Sequence, residues 1–194
     1  VRRVLQAIVQ SPAMRGRRYS AIDRGYSRAA AHRCAAEGIV LLKNNGLLPL
    51  DPHTSVTFVG EGSRRFNETG DGSTEVYTDQ WTSMYRCAAE IAGEAHTFFG
   101  LQSLAQTDAA VITVQAPGQE GSDRTGLSLP DDQLELLQQT ITEAKRLHKH
   151  AVVVLNVAGP VDVTAFASDV DAILCVFFPG MEGGRAAAEI LYGL

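Results

Sequence analysis

The stretch Ala109-Ala110-Val111-Ile112-Thr113-Val114-Gln115 is apolar almost throughout and short. Two later stretches share its character: Ala151-Val152-Val153-Val154-Leu155-Asn156 and Ala172-Ile173-Leu174-Cys175-Val176-Phe177. None alternates polar with apolar residues, so none reads as a strand with one wet face. Continuous apolar strands are buried on both faces, which requires a parallel sheet covered by helices. The segment between the first two runs supplies such a helix. From Pro130 to His148, Leu134, Leu137, Ile141, Ala144 and Leu147 recur at spacings of three and four. Asp131 and Asp132 fall in its first turn, where the helix dipole favours anions. The expected fold is α/β: a mostly parallel sheet with helices on both faces, a three-layer α/β/α sandwich.

Outward from this centre, strands and helices continue to alternate. Ser55–Val59 reads as a strand, Ser83–Ala95 as a helix, His96–Phe99 as a short strand and Gly184–Leu191 as a closing helix. Towards the N-terminus, Ala30, Cys34, Ile39 and Leu42 share an apolar face, which predicts a helix over Ser27–Asn45 stopped by Asn44-Asn45-Gly46. Residues 1–26 read as the end of a helix, with Val4, Leu5, Ile8 and Val9 on one side, stopped at Ser11-Pro12 and followed by a polar linker. The α/β domain is expected to occupy residues 27–194.

The chain has 194 residues, of which 45% are hydrophobic and 20% charged. That composition forms a core and excludes wholesale disorder. No apolar run reaches the ~18 residues of a membrane span. The net charge of −5 argues against a nucleic-acid partner. Charge is unevenly placed, at +7 over residues 1–33 and −12 over residues 34–194. A basic arm could bind RNA or acidic lipid, but this one lacks interleaved aromatics and reads as a solvated connector. Cys34, Cys87 and Cys175 have neither metal-ligand nor redox spacing, and the five His form no metal motif. No metal or cofactor is expected. The chain starts at Val1 without an initiator Met or a signal peptide, so it is expected to begin within a longer protein, and its compartment is unread.

In a parallel sheet, functional groups sit on the loops that leave the carboxyl ends of strands. Those loops are Gly60–Gln80, Ala116–Pro130, Val157–Val163 and Pro179–Gly183. The first opens Gly60-Glu61-Gly62-Ser63, yet Arg65 stands where a dinucleotide fingerprint needs its third glycine. Further along, Gly70-Asp71-Gly72-Ser73-Thr74 would let backbone approach a ligand, or would be an ordinary flexible turn. The second loop holds Gln119-Glu120-Gly121-Ser122-Asp123-Arg124. An exposed loop carboxylate at Glu120 suits a general acid, which must reach a leaving-group oxygen. Asp123 and Arg124 could form a charge-assisted frame around it. On these grounds alone, Glu120 reads first as one surface acid among 22.

From about Ala29 to Leu194, the chain resembles the second, α/β-sandwich domain of glycoside hydrolase family 3, the β-glucosidases and β-xylosidases. The resemblance rests on ordered motifs. Residues 36–44 (AEGIVLLKN) with Leu47-Leu48-Pro49-Leu50 resemble the family's entry segment, Gly70-Asp71-Gly72-Ser73 its sugar-facing loop, and Glu120-Gly121-Ser122-Asp123-Arg124 with Leu127-Ser128-Leu129-Pro130 its acid/base loop. Residues 152–156 with Gly159-Pro160-Val161, and then Pro179-Gly180-Met181-Glu182-Gly183-Gly184, resemble its closing segments.

The resemblance implies an acid/base-carrying domain of a retaining, exo-acting β-glycosidase acting on a β-linked oligosaccharide or glycoside. It implies Glu120 as acid/base, Asp71 and Ser73 near the sugar, and Asp123 and Arg124 as the pair that shapes the loop. It also implies that residues 1–26 are the tail of a preceding (β/α)₈ barrel carrying an Asp nucleophile, that the domain continues past Leu194, and that this chain alone does not hydrolyse. Met181, Asp71, Gln119 and Phe177-Phe178 depart from the family's usual residues, which bears on substrate preference. The competing readings are a non-catalytic carbohydrate-binding or interaction module of the same fold and, against the failed glycine pattern, a nucleotide-binding domain.

Overall fold

The computed structural model describes residues 1–18, 21–78 and 80–194. Tyr19 and Ser20 of the expected connector, and Asp79 of the first long loop, lie outside the described residues. Six strands form one sheet: β1 (Val40–Asn44), β2 (Val56–Val59), β3 (Thr97–Phe99), β4 (Ala109–Ala116), β5 (His150–Val157) and β6 (Ala172–Cys175). Their spatial order is β1-β6-β5-β4-β2-β3. Neighbours from β2 to β6 pair in parallel, whereas β1 runs antiparallel to β6. The helices are α1 (Arg2–Gln10), α2 (Arg24–Gly38), α3 (Met84–Ala92), α4 (Asp131–Arg146) and α5 (Gly183–Tyr192).

Burial on both faces follows from the strand sequences. Along β5, Val152 and Val154 join one core with Val56, Phe58 and Val111, against Met84 and Ala88 of α3 and Ala187 and Leu191 of α5. The alternate residues Val153, Leu155 and Val157 join the other core with Ile112 and Val114, against Leu137, Ile141 and Ala144 of α4. Both sets are apolar because both faces are dry. Helix α2 rests against α5 through an ion pair of Arg28 with Glu182 and a hydrogen bond between His32 and Glu189, each at 2.6 Å. In contrast, every residue of α1 is exposed, including Val4, Leu5, Ile8 and Val9.

One sequence expectation fails. The helix predicted over Ser27–Asn45 ends at Gly38, and residues 40–44 form the edge strand β1. Ile39, Val40, Leu41 and Leu42 fit a helical stripe and a strand equally well. Val40 and Leu41 pair with Cys175 and Leu174, so the exposed edge of β6 decides between the two states. Asn44 closes the strand by accepting from the N–H groups of Gly46 and Leu48. Smaller differences occur at other ends. Helix α3 stops at Gly93, whose φ is 92°. Strand β6 stops at Cys175, and Phe177 takes a left-handed φ of 49°. Gly60 leads into a three-residue 3₁₀ turn, not into a helix whose N-terminus could hold a pyrophosphate.

The sheet reverses direction next to β2. The chain leaves β2 for β3 on one side, and β4 returns on the other. Such a switch point opens a crevice between the carboxyl ends of the two strands. The loops that follow β2 and β4 are those carrying Ser73 and Glu120.

Candidate active site

The loop after β2 reaches the loop after β4 through its backbone. Asp71 donates its N–H to the Gly118 carbonyl at 3.3 Å, and Asp71 and Gln119 form an isolated parallel bridge. A second bridge, between Gln119 and Ser122, folds the β4 loop back at Glu120 and Gly121. Gly72 then turns with φ of 75°, which glycine adopts readily, and a Cβ there would stand 3.2 Å from that of Glu120. The turn aims the Ser73 N–H at Glu120 Oε2, at 3.1 Å.

Glu120 is exposed. The Ser73 hydroxyl, together with its N–H, holds the Glu120 carboxyl below its usual range, because both donors favour the charged form. At neutral pH the group is a carboxylate.

Around it lies an open cleft of about 710 Å³, walled by all four loops at this edge. The β2 loop brings Glu68 and Ser73, the β4 loop brings Glu120, Asp123 and Arg124, the β5 loop brings Ala158 and Gly159, and the β6 loop brings Phe178. Four of the five expected site residues therefore share one cleft. The fifth, Asp71, lines a neighbouring hollow with Arg65 and Tyr77 and reaches the cleft through its backbone alone. The expected frame of Asp123 and Arg124 around Glu120 does not form. Arg124 instead donates to the Pro160 carbonyl at 2.5 Å, tying the β4 loop to the β5 loop. Among the described residues, no ion pair joins Asp123 to Arg124.

Sequence reasoning marked Phe178 only as a departure that bears on substrate preference, and gave no role to Gly118 or Asn156. Phe178 stands beside Gly70 and Gly118 and lines the cleft. Gly118 packs so closely on Ala158 that an added Cβ would lie 2.1 Å from the Ala158 Cβ. Asn156 is fully buried beneath the loops. Only the position of these residues at the carboxyl ends of β4, β5 and β6 could have marked them. The thiols lie elsewhere: Cys87 and Cys175 are buried in the two cores, and burial pushes Cys87 up to about 11.

Three comparisons bear on this arrangement. The family model for the glycosyl hydrolase family 3 C-terminal domain matches residues 39–194. A probable exo-1,4-beta-xylosidase of Neosartorya fischeri is 30% identical over 190 residues, covering 89% of this chain and 24% of the fungal protein. Beta-D-xylosidase 1 of Arabidopsis thaliana is 35% identical over 185 residues, covering 84% of this chain and 23% of the plant protein. Among solved structures, beta-glucosidase 3B from Thermotoga neapolitana in complex with glycerol superposes with a TM-score of 0.83 at 25% identity, over 97% of this chain and 32% of that one. The chain thus spans about a quarter of the length of the curated relatives it matches.

Proposed function

The chain belongs to glycosyl hydrolase family 3, as its C-terminal domain, and from that membership we propose that it carries the general acid/base of a retaining, exo-acting β-glycosidase, with Glu120 as that residue. The observation that carries the reading is the Glu120 carboxylate, exposed in the cleft at the switch point and anchored by Ser73. A retaining mechanism needs a second carboxylate about 5–5.5 Å away to attack the anomeric carbon. On this reading it is an Asp of a preceding (β/α)₈ barrel that closes over the cleft, and residues 1–26 are the barrel's tail and connector. The exposed stripe of Val4, Leu5, Ile8 and Val9 supports that assignment, since an apolar helix face needs a neighbour. So does Arg28, which brings the basic segment to the carboxyl edge of the sheet by bonding Glu182 and Gln80. The substrate is a β-glucoside or β-xyloside, the two classes named among the relatives.

The mechanism follows from the geometry. In the first step, Glu120 gives a proton to the departing glycosidic oxygen. In the second, as a carboxylate, it takes a proton from the water that releases the sugar. Ser73 steers the carboxyl into the cleft, and Arg124 fixes the far side of its loop against Pro160.

The test joins this chain to a family 3 barrel and compares Glu120→Gln with the parent, using the unjoined chain as the inactive control. Substrates with poor leaving groups should slow by about 10²–10⁴-fold. Activated aryl glycosides should lose less in the first step, and azide should restore part of the turnover. Unchanged rates on poor leaving groups would remove Glu120 from the mechanism.

A further inference from the structure

Asn156 ends the apolar run of β5 and is fully buried. A polar side chain there must satisfy two N–H donors and two acceptor lone pairs without water. It does so on three different segments. Its Oδ1 accepts from the Asn67 N–H at 2.6 Å and from Gln115 Nε2 at 2.8 Å. Its Nδ2 donates to the Asn67 carbonyl at 3.1 Å and to the Phe177 carbonyl at 2.6 Å. The amide can point only this way, because a flip would set its NH₂ against the Asn67 N–H and its oxygen against the Phe177 carbonyl.

Each partner leads into a wall of the cleft. Asn67 lies six residues before Ser73, in the β2 loop. Gln115 is the penultimate residue of β4, just before the Glu120 loop, and its Nε2 also reaches the Arg65 carbonyl at 3.2 Å. Phe177 carries the left-handed φ of 49°, an uncommon conformation for a bulky residue that something must hold. Its successor, Phe178, lines the cleft. The β5 loop begins two residues after Asn156 itself. One buried amide therefore bonds the roots of the β2, β4 and β6 loops and sits at the root of the β5 loop.

We propose that Asn156 is the positioning residue of the cleft: it locks the four loops in the register that lets Ser73 meet the Glu120 carboxylate. Its catalytic meaning rests on the reading of Glu120 given above, but its physical claim does not. Asn156 touches no substrate and acts only through Asn67, Gln115 and Phe177. Asn156→Asp tests this with almost no change of shape. It keeps the acceptor towards Asn67 and Gln115 and turns an oxygen on the two carbonyls that Nδ2 now serves.

The experiment uses this 194-residue chain and reads the Glu120 carboxyl titration by NMR, with amide hydrogen exchange at Ser73. In Asn156→Asp, the Glu120 carboxyl should return towards its usual range, and Ser73 exchange should quicken by about tenfold, the effect of losing one net hydrogen bond. Gln115→Met, at a half-buried position, removes one bond to Asn156 and one to Arg65, and should move both readouts in the same direction. It decides the matter alone if the first variant does not fold. A space-filling residue would leave the titration of an exposed carboxyl elsewhere untouched. A folded variant with Glu120 titration and Ser73 exchange unchanged overturns the proposal and leaves the acid/base reading standing. Full activity of Glu120→Gln in the barrel-joined enzyme does the reverse.

Discussion

Gly118→Ala adds one methyl group at the tightest contact of the cleft. No left-handed backbone is required at this position, so the change acts through space alone. The new Cβ would stand 2.1 Å from the Ala158 Cβ, against the 3.4 Å or more of ordinary van der Waals contact. The two loops must therefore part by more than an ångström. Gly118 is half-buried in a loop that can yield, so the stability cost sits near the lower end of the ~1–3 kcal/mol seen for overpacking. At about 2–4 °C per kcal/mol for a chain of this size, the melting temperature should fall by only a few degrees. The effect on the site is larger, because the Gly118 carbonyl holds the Asp71 N–H and, through it, the turn that aims Ser73 at Glu120. A misplacement of about 1 Å can cost about 10²-fold in rate. In the barrel-joined enzyme, kcat should drop by about that factor while the melting temperature barely moves. Ala158→Gly in the same chain removes the opposing methyl group and leaves the Ala158 Cα at 3.6 Å, an ordinary contact. The double variant should thus recover most of the loss. A single variant with full activity, or a double variant no better than the single, would refute the steric account.

Ser73→Ala removes the hydroxyl but keeps the N–H, so the Glu120 carboxyl should move part of the way back up to its usual range, read by carboxyl NMR in this chain. The sign follows from linkage: a carboxyl held low in the folded state is tied to Ser73 at neutral pH and loses that tie as pH falls through its folded value. Leu137→Ala deletes a fully buried side chain of α4 that does not line the cleft, and should cost about 2–5 kcal/mol in denaturant unfolding without shifting the Glu120 titration.

The parallel strands were legible because a strand buried on both faces cannot hide its composition. Strand β1 was not legible, because the four apolar residues from Ile39 to Leu42 satisfy a helical stripe as well as a strand. What decides is β6, more than 120 residues away in the chain. The meeting of Ser73 and Glu120 could be anticipated, since both follow strands whose carboxyl ends lie together. The partner of Arg124 could not. A neighbouring acid, Asp123, is the natural guess, whereas the actual acceptor is a carbonyl 36 residues on. Asn156 and Phe177 fall in the same class. A single amide at the end of an apolar run has no period, and a left-handed phenylalanine leaves no compositional trace. Local pattern reports which faces are dry; it does not report which loop roots share one buried amide.

The charge on Glu120 has a consequence for how the work is divided. A general acid must hold its proton at working pH, so its carboxyl should be held high. Here it is held low, by two donors from Ser73, on an exposed loop. Taken alone, the domain therefore keeps Glu120 in the form that, on the proposed reading, suits the second half of a retaining cycle, when it acts as a base. Two changes would supply the other form: removal of water from the cleft and the approach of a second negative carboxylate, each of which disfavours the charged state. Both come with the partner surface that, on the proposed reading, carries the nucleophile. On that reading, the step that turns the nucleophile into a glycosyl ester also passes the Glu120 proton to the departing oxygen. The nucleophile's charge is then gone, and the Ser73 donors favour keeping Glu120 as the carboxylate that takes a proton from water. On the proposed reading, the sheet and its loops fix where the carboxyl stands, while a closing domain and the state of its nucleophile set when the carboxyl is protonated. Ser73 biases Glu120 towards its charged form, a bias that on the proposed reading favours deglycosylation.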